Sequence, residues 1–327
     1  MIKKRKTLPI KKICVLLLMI IYLLFLTIQN NSKEGQIQHP NKIEFQNPIK
    51  NEFQYYCCFV GIARKENLYV RELISYYLKI GVEKFIFFDN NLPNTEKLSD
   101  VIKDYVDKNV VDIIEGFGRS FLHAELFGEI YAKYKYKCEW LTFFDFDEYL
   151  IMKFNNGKPL TFKEYLSNPL FENCEAIGFN WLIYDDNGYI YYDNRTSMER
   201  FTNPNYGDYA NKFIKSIVRG NLTKKIFLPR TTNHHPGRKV RTCDTFGKPI
   251  YHGDVNYRKN YGNGYIAHFN TRTAEEYVEK IKRWCQTVPA NLEERIDLFF
   301  QHNKFTEEKL KFFEKAYDRK FPNLHKG

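Results

Sequence analysis

The chain has 327 residues, 43% of them hydrophobic and 27% charged, a balance that excludes both a disordered polymer and a protein wholly embedded in a membrane. Glycine (17) and proline (12) are too sparse for collagen or a low-complexity array, and the length allows one large α/β domain or two smaller ones. The net charge of +11 is unevenly spread: Lys3, Lys4, Arg5, Lys6, Lys11 and Lys12 fall in the first twelve residues, and no acid precedes Glu34.

Residues 13–28 (ICVLLLMIIYLLFLTI) carry no charge. The run is a little short of the ~20 residues of a membrane span, but no small-residue cleavage site follows it, so it reads as an uncleaved signal anchor. The positive flank stays in the cytosol, which predicts a single-pass type II topology with residues 1–12 as a cytoplasmic tail and 29–327 in the lumen. The basic tail then needs no nucleic acid to explain it. Residues 29–52, nine of them Asn or Gln, read as an extended stem, and 53–327 as the folded domain. Six cysteines lie beyond the anchor: Cys57, Cys58, Cys138, Cys174, Cys243 and Cys285. An even count permits disulfides in an oxidising lumen and is equally compatible with buried thiols; the spacing does not choose. A zinc site joining Cys57-Cys58 to His234-His235 lacks the usual ligand spacing. Three N-x-[ST] sequons, at Asn30, Asn194 and Asn221, agree with anchor and stem on a Golgi or other secretory-pathway membrane.

From Tyr55 the pattern alternates. Tyr55–Ala63 (YYCCFVGIA) has the β-rich apolar character of a buried strand. Val70, Leu73, Ile74, Tyr77 and Leu78 follow at helical spacing, stopped by Gly81. Lys84–Phe88 is a second strand, Glu96–Lys108 a helix, Val110–Ile114 a third strand. A helix through Leu122, Leu126 and Ile130 precedes a fourth strand, Trp140–Phe144. Repeated strand–helix alternation predicts an α/β domain with a Rossmann-like, doubly wound, mostly parallel sheet. Ligands of such sheets sit beyond the C-terminal strand ends, and here those ends carry Arg64-Lys65-Glu66, Asp89-Asn90-Asn91 and Asp145-Phe146-Asp147-Glu148. No G-x-G-x-x-G follows the first strand and no G-x-x-x-x-G-K-[ST] occurs, which excludes a dinucleotide dehydrogenase and a P-loop enzyme.

The D-x-D of Asp145 and Asp147 is the most informative feature. Two carboxylates at a strand end can hold a hard divalent cation that keeps positions for phosphate oxygens, and such an ion neutralises charge growing on a diphosphate leaving group. An acidic turn that merely ends a strand is the plain alternative.

Several segments in order resemble glycosyltransferase family 92 and its family-2-like bacterial relatives. They are Arg64-Lys65-Glu66, Tyr69–Leu73, Gly81-Val82, Phe85–Asn90, Trp140 with Phe144–Leu150, Glu199-Arg200-Phe201, Lys215–Arg219, His234-His235-Pro236 and His268–Thr273. The resemblance spans about residues 57–285. It implies a GT-A glycosyltransferase that inverts the anomeric centre, uses a UDP-sugar, often UDP-galactose, with Mn²⁺, and acts on a glycan acceptor. By the same resemblance Asp145, Asp147 and His268 hold the metal. Arg64, Glu66, Asp89, Asp145, Lys215 and Arg272 contact the donor. Departures are Lys65 for the family's Asn, Leu73 for its Trp and Arg272 for its Lys, and the Trp181–Gly188 stretch lacks a clear F-G.

Inversion requires a general base on the acceptor hydroxyl. Glu199, in a matched segment, and Asp186 or Asp185, before the Asn187-Gly188 turn, are the candidates, with solvated turn positions the plainer reading of the two aspartates. Thr273-x-x-Glu276 reads as a capping box rather than as chemistry. Two readings from other classes stand beside the transferase: a metal-dependent phosphoesterase or nucleotidyltransferase, and a carbohydrate- or nucleotide-sugar-binding relative without activity.

Overall fold

Side chains alternate across the first strand, β1 (Tyr55–Ala63): Cys57 and Phe59 enter one apolar cluster, Cys58 and Val60 another. Both faces are therefore buried, and each needs a cover. Helix α1 (Val70–Lys79) lays Leu73, Ile74 and Tyr77 on the first face. On the other face, helix α4 (His123–Tyr134) contributes Phe127, Ile130 and Tyr131. Between them run β2 (Lys84–Asp89), the short helices α2 (Leu98–Val101) and α3 (Lys103–Asp107), and β3 (Val111–Glu115). The single helix predicted over Glu96–Lys108 is thus broken at Ile102, whose φ of −120° leaves helical geometry.

The chain continues through β4 (Cys138–Phe143), β5 (Glu148–Met152), α5 (Phe162–Leu166), β6 (Ala176–Ile183), α6 (Ser197–Arg200), β7 (Ile214–Arg219), β8 (Thr242–Cys243), β9 (Gly264–His268), α7 (Ala274–Trp284), α8 (Leu292–His302) and α9 (Glu307–Tyr317). The structure is a computed structural model that describes residues 53–116, 123–222, 240–251, 253–284, 289 and 291–324. The expected tail, anchor and stem, the His234-His235 pair and Cys285 lie outside those residues. No helix among the described residues is long and apolar enough to cross a membrane.

Strand order is β3-β2-β1-β4-β7-β6-β9-β5, with β8 on β6. The first four strands are parallel, as the alternation predicts. The second half corrects that expectation: β7 inserts antiparallel between β4 and β6, and β5 runs antiparallel to β9, so the sheet is mixed. Helical crossovers join successive parallel strands up to β4; beyond it the parallel pairs, β6–β8 and β6–β9, join strands that are not consecutive in the chain. Two disulfides, Cys58–Cys138 and Cys174–Cys243, tie β1 to β4 and the segment before β6 to β8; Cys57 is a buried thiol. With Cys58 in a disulfide, the cysteine half of the zinc arrangement is already spent.

Candidate active site

The antiparallel half is what assembles the site. Register places Glu148 opposite His268 across β5 and β9, and Ile183 opposite His268 across β6 and β9. The turn Asp145–Asp147 therefore faces the end of β9 and the start of β7. Gly61 permits that turn to close down on β1, because a Cβ there would stand 2.9 Å from the Phe146 ring. Arg272, held at a left-handed φ of 53°, donates to the Phe146 carbonyl at 3.1 Å and lies 3.3 Å over the Tyr69 ring.

Each carboxylate of the pair meets a lysine. Lys215 Nζ is 2.5 Å from Asp145 Oδ2 and 3.4 Å from Glu148 Oε1, and Glu148 Oε2 accepts from the Asp145 amide at 2.9 Å. Lys280 Nζ is 2.9 Å from Asp147 Oδ2 and also donates to both Asn270 oxygens. On its other oxygen, Asp147 Oδ1 lies 3.5 Å from His268 Nε2. Glu66 joins from the end of β1, paired with Arg283 and, at 3.8 Å, with Arg272.

Burial works against ionisation of Asp147, Glu148 and Glu66, and the neighbours decide the outcome. Asp147 is pushed up by burial, but Lys280 and then His268 outweigh that and hold it well below the usual carboxylate range. For Glu148 burial wins over Lys215 and lifts it to about 8, so it keeps its proton at neutral pH. Burial likewise raises Glu66 against Arg283 and Arg272. His268 is lowered, chiefly by burial, with Asp147 opposing. The edge therefore holds more cations than carboxylates that stay ionised, counting Lys215, Lys280, Arg272 and Arg283 against Asp145, Asp147 and Glu66. That surplus suits an anion.

Polar satisfaction points the same way. Among the described residues, Trp181 Nε1, His268 Nδ1, Arg272 Nε and Arg283 Nε are buried here without a hydrogen-bond partner, and Glu66 Oε2 and Glu148 Oε1 have only the longer ion pairs to Arg272 and Lys215. Unsatisfied buried groups are rare in folded proteins, and a cluster of them marks a place built for something else.

The donor set fits a divalent ion. The Asp147 carboxylate and the His268 imidazole, 3.5 Å apart, approach the ~3 Å between neighbouring ligands of a cation coordinated at about 2.1 Å. Among the described residues no three His, Cys, Asp or Glu side chains are grouped as a metal cluster, so Asp147 and His268 stand as a pair. Asp145, drawn to Lys215, keeps a side chain 36% exposed and faces the solvent side.

The other expected residues are placed differently. Asp89 is buried and spends both carboxylate oxygens on backbone amides, of Asn91 at 3.0 Å and Leu98 at 2.8 Å, which makes it a turn cap. Arg64 is half-buried at the end of β1. Lys215 and Arg272 are buried and already committed to Asp145 and to the Phe146 carbonyl, so they shape the acidic turn. Glu199 is exposed, and its carboxylate accepts from the Thr196 amide and hydroxyl in a capping box, which lowers its pKa. Asp186 is not solvated but buried against Lys309 at 2.6 Å, its pKa raised by that burial with Lys309 opposing. Asp185 accepts from the Asn187 amide at 2.8 Å, as a turn residue does, and among the described residues no hydrogen bond or ion pair joins Glu199 or Asp186 to the acidic turn. The departure Lys65 sits at a left-handed φ of 55°, a conformation Asn adopts more readily.

Glu148 and Asn270 lie in the matched segments without an assigned role, and Lys280 and Arg283 lie outside the residues the sequence reading names. Glu276, Lys280 and Arg283 recur at helical spacing on α7, opposite its apolar Tyr277, Val278 and Ile281, and that polar stripe was the available signal. The predicted capping box is present: Glu276 N donates to Thr273 Oγ1 at 3.2 Å, while Glu276 also takes both Arg200 nitrogens and the Tyr69 hydroxyl.

The site is thus an acidic turn ringed by cations at the strand ends of a mixed sheet in an α/β fold. The chain belongs to glycosyltransferase family 92, whose model matches residues 53–297. A glycosyltransferase family 92 protein from Ricinus communis is 24% identical over 107 residues, a match covering 31% of this chain and 18% of that protein. Among solved structures, S. aureus TarS matches with a TM-score of 0.35 and 12% identity, over 80% of this chain and 49% of that one. A shorter TarS in complex with UDP-GlcNAc gives 0.38 and 11%, over 82% and 74%. The matches thus span under a fifth of the plant protein and about half of the longer TarS chain.

Proposed function

We propose that the chain is an inverting, metal-dependent GT-A glycosyltransferase that moves a hexose, galactose by the family resemblance, from a UDP-sugar to a glycan acceptor. The observation that carries this reading is the gathering of surplus cations and unsatisfied polar atoms around Asp145, Asp147 and His268. Asp147 and His268 would hold the ion, with Mn²⁺ the choice the resemblance gives. A divalent cation there supplies positive charge for the leaving diphosphate.

The chain's own residues do the rest. Lys215 fixes Asp145, whose open face suits ribose hydroxyls. Arg272 clamps the turn between the two aspartates from its backbone side. Lys280, the most exposed of the four cations at 27%, is the one with access to a phosphate. Inversion also needs a base, and neither Glu199, spent on its helix cap, nor Asp186, sealed by Lys309, is placed to serve in this conformation.

Two disulfides and exposed asparagines in the sequons at 194 and 221 support an oxidising secretory compartment, Golgi by the anchor-and-stem reading, with the domain lumenal. Thermal shift tests the function: UDP with Mn²⁺ at a hundredfold excess over Kd should stabilise the protein by about 2.7 kcal/mol, more than the sum of UDP alone and Mn²⁺ alone. Stabilisation by free glycan without nucleotide or metal would favour a binding protein instead.

A further inference from the structure

Two rows of aromatic rings leave the acidic site and surface on the same segment. The first runs from His268 to Trp181, with ring centroids 4.4 Å apart, then to Phe213 at 5.6 Å and Tyr209 at 6.5 Å. The second runs from Phe269 to Tyr184 at 5.4 Å, across a 3.4 Å contact of the Tyr184 and Tyr265 hydroxyls, then through Tyr261 to Tyr206. Both end in side chains that stand in solvent: Tyr206 is 62% exposed and Tyr209 76%.

A third tyrosine joins them. The Phe213–Val255 bridge and the Asn256 amide bond to the Lys212 carbonyl at 2.8 Å hold segment 254–257 beside 212–214. Buried Asn180 pins the arrangement from beneath, donating to the carbonyls of Asn211 at 3.0 Å and Asn256 at 2.8 Å. Tyr257, 66% exposed, consequently shares Lys212 with Tyr209; the ammonium lies 3.4 Å from the Tyr209 ring centre and 6.0 Å from that of Tyr257. Next to Tyr257 opens a cleft of about 260 Å³, walled by Ile250, Tyr251, Asn256 and Arg258 among others, none of them part of the acidic site.

Clustered exposed aromatics on a rigid base cost solubility and mark a binding surface. Flat rings tipped with hydroxyls, interleaved with amide and cationic donors, match a pyranose, which has an apolar face and a polar rim. The geometry points to Tyr206, Tyr209 and Tyr257 as a stacking rim that receives the non-reacting sugars of an oligosaccharide acceptor, with the neighbouring cleft taking one further ring. The inference rests on the glycosyltransferase reading and names where its acceptor lies.

The test uses the full chain, the UDP-sugar it hydrolyses fastest, and a panel of free N- and O-glycan oligosaccharides. Tyr209→Ala and Tyr257→Ala should each raise the acceptor KM about tenfold, while donor KM and acceptor-free hydrolysis stay within about twofold. Tyr209→Phe, which keeps the ring, should restore most of the loss. Unchanged acceptor KM in both alanine variants overturns the rim. So does a loss confined to intact glycoproteins, which would assign the surface to polypeptide, or a wild-type chain that hydrolyses donor but accepts no oligosaccharide. A chain that neither binds UDP nor hydrolyses any UDP-sugar fails the glycosyltransferase reading itself. Saturation-transfer NMR with the same panel then decides the rim alone. A glycan signal present with wild type and abolished by Tyr209→Ala sustains it, and the absence of any signal with wild type ends it.

Discussion

Two aspartate–lysine pairs look alike by distance and differ in burial and in their neighbours. Asp186 and Lys309 meet at 2.6 Å with both side chains 1% exposed; Asp186 also accepts from the Gly188 amide, and Lys309 donates to the Lys304 carbonyl. Asp147 and Lys280 meet at 2.9 Å, but Lys280 is 27% exposed and the second Asp147 oxygen faces an imidazole whose Nδ1 lacks a hydrogen-bond partner. The first pair joins α9 to the turn after β6 and is closed. The second is open on the side where a ligand would arrive. Access and unsatisfied neighbours, rather than the ion pair, separate a structural contact from a functional one.

Breaking the closed pair should have the largest effect. Asp186→Ala leaves a buried ammonium without its counter-charge, a change that costs about 3–5 kcal/mol. Thermal unfolding should fall by roughly 10 °C for a domain of this size, with UDP affinity unchanged in the protein that remains folded. A stable Asp186→Ala that loses only acceptor transfer would restore Asp186 as the base.

The open pair should respond in the opposite sense. Lys280→Met removes a cation that competes with a metal for the Asp147 carboxylate. A unit charge about 4 Å away is worth about 4 kcal/mol at an effective dielectric near 20, and reorganisation consumes much of it, so Mn²⁺ affinity without nucleotide should rise roughly tenfold. Weaker Mn²⁺ binding by calorimetry would mean that Lys280 supports the site rather than screens it.

Local pattern was the legible part. The observed β1 has the predicted bounds, and the D-x-D, the Thr273 capping box and the first four parallel strands follow from runs and caps that neighbours in sequence define. The insertion of β7 between β4 and β6 was not legible, because antiparallel pairing across such separations leaves no periodic trace. The segment Glu199-Arg200-Phe201 shows how a site is misread. Thr196-x-x-Glu199 is itself a capping signature, which consumes the acid, while Arg200 turns inward to bind Glu276 in a bidentate pair. Charge type alone did not say which residue points in.

The central claim is that Asp147 binds donor through a shared cation. Titrating UDP into wild-type protein and into Asp147→Asn by isothermal calorimetry, each with and without Mn²⁺, tests it most directly. The variant keeps the shape of the side chain and removes its charge. UDP should bind wild type at least ~10²-fold more tightly with Mn²⁺ than without, and that metal dependence should vanish in Asp147→Asn while the unfolding temperature stays close to wild type. Retained Mn²⁺-dependent UDP binding in Asp147→Asn would contradict the account and leave the acidic pair as the end of a strand.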